Sequence, residues 1–86
     1  MTFGQKERLT MTAAFQRAWK ALLVDERITA KNIEFIPTIL MEAIVEAAHT
    51  GERDELLLTA TALARMAKYE RDELESSLRV SYDRLH

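Results

Sequence analysis

From Arg53 to Arg84 the chain contains neither glycine nor proline. The stretch is rich in Leu, Ala, Glu and Arg, which lose little freedom in a helix, so it is expected to form one continuous helix. At 1.5 Å per residue that helix is about 48 Å long. Leu56, Leu63, Ala67, Leu74, Leu78 and Leu85 recur along it at alternating intervals of seven and four, with Ala60 filling in. This is an 11-residue repeat of about 3.67 residues per turn, which keeps an apolar stripe on one side of a straight helix. The pairs Arg71/Glu75, Glu75/Arg79 and Arg79/Asp83 have the i, i+4 spacing of helix-supporting charges.

The rest of an 86-residue chain must cover this stripe, and it has few other means of stabilisation. A domain this small buries only about 60–65% of the surface of its unfolded chain. With no cysteine there are no disulfides and no thiolate metal sites. Only two glycines and one proline interrupt the chain, so the expected class is all-α.

A first helix is predicted over residues 10–24, where Met11, Phe15, Ala18, Trp19 and Leu22 share a face. Residues 1–9 extend it or fray. The lone Trp19 with Phe15, and Met11, Met41 and Met66, are read as core residues. Thr29 is a candidate N-cap, with Ile28 and Ile33 placed as a hydrophobic staple, so a second helix is predicted over 30–49. Pro37 lies inside it. Either the helix kinks there, or residues 30–35 form a separate turn and the helix restarts at Pro37. Beyond it Ile36, Ile39, Leu40, Ala43, Ile44 and Ala47 form a wide apolar arc. Gly51 suits a left-handed helix stop, and the short link to a third helix over 53–84 makes an antiparallel hairpin.

The expected architecture is a single domain over 1–86. It is a three-helix arrangement with a long C-terminal helix, a second helix kinked or broken at Pro37, and homodimeric assembly. The dimer follows from length. Two shorter helices, each under about 30 Å, cover a 48 Å helix only by lying end to end along it. If the first helix instead turns back along the second, Leu74, Leu78, Tyr82 and Leu85 are left bare. An uncovered leucine forfeits roughly 1.5–3 kcal/mol, so a second copy is the simplest cover.

Charge is divided along the chain. Residues 1–31 carry six basic and three acidic groups, and residues 32–62 carry one and six. A basic face of Lys6, Arg17 and Lys20, with Arg27 and Lys31, defines an alternative reading as a dimeric nucleic-acid-binding regulator. A helix-turn-helix drawn through Gly51 would instead open on Glu52, Asp54 and Glu55, which repel phosphate.

No residue pattern points to catalysis, a metal or another cofactor. Glu46-x-x-His49 has the spacing of one half of a carboxylate di-metal site, but further inward carboxylates are missing from the pattern. With only two histidines, a nucleophile–base pair has little to draw on. No glycine-rich phosphate loop occurs. The opening Met-Thr-Phe-Gly-Gln-Lys-Glu-Arg has no apolar leader core, and no run is long enough to span a bilayer, so a cytoplasmic protein is expected. The functional expectation is a small non-catalytic regulatory or adaptor protein. It acts through helix faces on itself and on an unidentified protein partner, without membrane or cofactor.

Overall fold

The computed structural model describes the backbone of residues 3–84 and the side chains of residues 3–80. Three helices follow one another: α1 (Gln5–Val24), α2 (Ile36–His49) and α3 (Glu55–Arg84). No strand occurs among the described residues.

α1 starts five residues earlier than its apolar pattern suggested. Its buried side is Met11, Ala14, Ala18 and Leu22, a 3–4 spacing in which two alanines let the neighbouring helices approach closely. Phe15 and Trp19 are not in the core. They stack on each other, with centroids 6.3 Å apart and planes 12° apart, and pack half-buried at its margin.

α1 ends in a Schellman motif. The Glu26 amide donates to the Leu23 carbonyl (3.1 Å) and the Arg27 amide to the Leu22 carbonyl (2.9 Å). Glu26 itself takes φ 55°, a left-handed position normally filled by glycine. Thr29 and Asn32 then bond reciprocally. The Asn32 amide donates to Thr29 Oγ1 (3.3 Å), and the Thr29 amide donates to Asn32 Oδ1 (2.7 Å).

This exchange heads a set of turns over residues 30–35 rather than the first turns of a long helix. α2 begins only at Ile36, with Pro37 in its first turn. Of the two expectations for residues 30–49, a kink at Pro37 or separate turns over 30–35 followed by a restart, the second describes the chain, and the helix is shorter, with Pro37 in its first turn. There the missing N–H costs nothing and the fixed φ favours initiation. Ile28 packs against the core, but Ile33, its expected staple partner, is exposed.

α2 buries Ile36, Leu40, Ala43, Ile44 and Ala48, with Ile39 and Ala47 half-buried beside them. Met41 projects outward and is not core. The turn at Gly51 repeats the stop that ends α1: Gly51 donates to Ala48 O (3.1 Å) and Glu52 to Ala47 O (3.1 Å), with Gly51 at φ 105°. Asp54 then caps α3, its Oδ1 accepting from the Leu56 (2.8 Å) and Leu57 (3.1 Å) amides.

The core side of α3 is Leu58, Ala62 and Met66. This corrects the sequence-based phase. At about 100° per residue, Leu58 points roughly 160° away from Leu56, so the stripe expected to meet α1 and α2 faces largely outward. All three helices pack against one another around Met11, Leu22, Ile36, Leu40, Ile44, Leu58 and Met66. No charged or polar residue is buried among those described.

The bundle is much shorter than α3. Tyr69 and Glu70 are the last half-buried residues among the described side chains of that helix, and every residue from Arg71 to Val80 is exposed. α1 and α2 both pack on the part of α3 before Arg71, so α3 continues beyond the core as an arm. The molecule measures 55 × 27 × 19 Å with a radius of gyration of 15.3 Å. A compact chain of this length would have about 12 Å.

Candidate functional site

Among the described residues, the arm and the outward side of α3 form an extended apolar surface. Leu56 is 61% exposed, Leu74 60% and Leu78 61%. Ala60 and Ala67, also exposed, lie between them, and Leu63 is half-buried at the edge of the core. Of the four residues expected at an interface, Leu74 and Leu78 are thus bare on the arm. The side chains of Tyr82 and Leu85 lie outside the described residues. Arg71/Glu75 and Glu75/Arg79 do not close into ion pairs within 4 Å, since fully solvated charges gain too little to hold long side chains together. A shallow hollow between the 30–35 turns and the start of the arm is lined by Asn32, Phe35, Tyr69, Glu73, Leu74 and Ser77.

The five cations of the nucleic-acid reading do not form one free basic surface. Lys6, Arg17 and Lys20 share a side of α1, while Arg27 and Lys31 lie in the segment after it. Arg17 is paired with Glu55. Arg27 holds Glu70 through both Nε (3.2 Å) and Nη2 (2.5 Å). The Arg27 guanidinium pKa is raised, chiefly by this hydrogen bond, so its charge is committed to a carboxylate. Lys6, Lys20 and Lys31 remain exposed. The Arg27–Glu70 pair ties the α1–α2 link to the point where the arm begins, a role that nothing in the local sequence pattern signals.

Glu46 and His49 do not converge on a site. Glu46 accepts from Arg65 Nη1 at 2.8 Å, and this hydrogen bond, with the guanidinium charge, lowers its carboxyl pKa. The His49 ring lies 4.9 Å from that of Phe3, and the Arg53 guanidinium sits 5.7 Å from the Phe3 centroid. No group of three potential metal ligands occurs among the described residues, and none of their helices is long and apolar enough to cross a membrane.

Comparisons with protein families, with curated proteins and with solved structures find no match. The functional reading therefore rests on the surface just described.

Proposed function

We propose that this chain is a non-catalytic regulatory or adaptor protein that works by presenting the apolar face of α3 to another protein chain, first of all to a second copy of itself. One observation carries the reading: Leu74 and Leu78 stand at 60% and 61% exposure on an arm that the chain's own helices do not reach. Isolated exposed leucines are common, but a row of them at helical spacing on a projecting helix is costly to leave in water. Pairing relieves that cost without any chemistry, and the resulting helical surface is suited to occluding or bridging a further partner.

Light scattering on a sizing column across a range of concentrations tests this. The native chain is expected to run as an oligomer that dissociates on dilution. Leu74→Glu/Leu78→Glu is expected to run as a monomer with its helical circular dichroism intact, because neither leucine contributes to the core. A native chain that stays monomeric at every concentration would sink the proposal.

A further inference from the structure

We infer that two copies pair antiparallel along α3 about a two-fold axis at Ala67, so that the arm of each lies on the bundle-proximal stripe of the other. This rests on the self-association proposed above and adds its geometry. The stripe on α3 occupies positions 56, 60, 63, 67, 71, 74 and 78, all exposed except the half-buried Leu63, and its spacing reads the same in both directions from 67. An isologous interface needs this self-complementarity. In the antiparallel register Leu56 meets the other copy's Leu78, Ala60 meets its Leu74, Leu63 meets the aliphatic stem of its Arg71, and Ala67 meets Ala67, so the smallest side chains lie at the central crossing.

Two electrostatic features select this direction over a parallel zipper. Arg71 is the charged member of the row. A parallel pair in register sets Arg71 directly against its copy. The antiparallel pair separates them by about 12 Å along the axis, beyond the roughly 8 Å over which exposed charges act at physiological salt.

The second feature is charge complementarity. Outside the pairs Arg65–Glu46, Arg17–Glu55 and Arg27–Glu70, the proximal part of α3 keeps Lys68, while the arm from 71 to 80 carries Asp72, Glu73 and Glu75 against Arg71 and Arg79. α1 adds Lys20, which lines one hollow with Ala21, Val24, Asp25 and Thr59 of α3 and so sits on the wall beside the stripe. A two-fold axis perpendicular to the paired helices keeps the same flank of both on the same side. The Glu73 flank of one arm therefore runs along the α1 wall of the other copy. Antiparallel pairing sets acid against base at both ends, whereas parallel pairing sets like against like.

The chain has no cysteine, so a single nitroxide label is easily placed. Asp72→Cys and Arg79→Cys are both exposed and turned away from the stripe. Pulsed dipolar distances are measured on each labelled variant, with solution mass measured in parallel. Antiparallel pairing about Ala67 gives axial separations of about 15 Å for position 72 and about 36 Å for position 79, so the second distance exceeds the first by well over 10 Å. Equal distances at the two positions in a confirmed dimer overturn the orientation while leaving self-association intact. A dimer with distances that do not grow from 72 to 79 does the same. A monomer without dipolar signal overturns both.

Discussion

Leu56 and Leu58 are two residues apart, equally apolar and equally compatible with a helix, yet the fold gives them opposite roles. Leu58 is 1% exposed and Leu56 is 61% exposed. Leu58→Ala removes three buried carbons from a site where α1, α2 and α3 meet, and such truncations cost about 2–5 kcal/mol. An 86-residue chain has a total stability of roughly 4–13 kcal/mol at about 0.05–0.15 kcal/mol per residue, so this one change removes a large share of it. At about 4–8 °C per kcal/mol, a loss near 3 kcal/mol lowers the melting temperature by about 12–24 °C. Leu56 keeps only its smaller, covered part from water, so Leu56→Ala costs about 1 kcal/mol or less in the isolated chain. The assay is urea unfolding followed by far-ultraviolet circular dichroism at high dilution, where assembly adds no apparent stability. Equal losses at the two positions would mean that α3 is rotated about its axis relative to the arrangement described here. Leu56 would then belong to the core, and the bare row would be confined to the arm.

The two Schellman stops make a reciprocal test, since Glu26 occupies in one the left-handed position that Gly51 occupies in the other. Glu26→Gly is expected to stabilise by about 1 kcal/mol, and Gly51→Ala to destabilise by about 1–2 kcal/mol although a Cβ there meets nothing within 4 Å; thermal melts at fixed concentration check both. The Glu46 carboxyl is lowered from its ordinary value of 4.5, first by its hydrogen bond from Arg65. Its contribution is therefore complete above pH 4.5 and is lost as the pH falls through the depressed folded value. Glu46→Gln should remove that acid-side step from a stability-versus-pH curve while leaving the curve above pH 5 parallel to the native one.

Much of the local structure follows from the sequence because its causes are local. The scarcity of breakers makes the chain helical, Gly51 ends α2, and Pro37 marks the start of α2. The face carrying Met11, Ala18 and Leu22 repeats at helical spacing. Pro37 also shows the limit of such reasoning, since a kink and a restart obey the same rule about its missing N–H. The reciprocal Thr29–Asn32 bonds and the turns over 30–35 accompany the restart.

What the sequence could not decide is which way each amphipathic surface turns, because a hydrophobic period states a repeat and not a partner. Trp19 and Met41 belong to apolar patterns yet lie at the margin or outside, since alanines and slimmer aliphatic chains fill the space where the three helices come closest. On α3 the run Leu56-Leu57-Leu58 permits either phase. The longer stripe is the more regular, but the core takes the shorter Leu58–Ala62–Met66 side. That choice belongs to tertiary structure. α1 and α2 pack side by side on the first half of α3, the Arg27–Glu70 pair holds the link against it, and the bundle ends at Glu70. The length of α3 was written in its composition. The fact that its most regular apolar face turns largely outward from the bundle was decided only when the three helices packed.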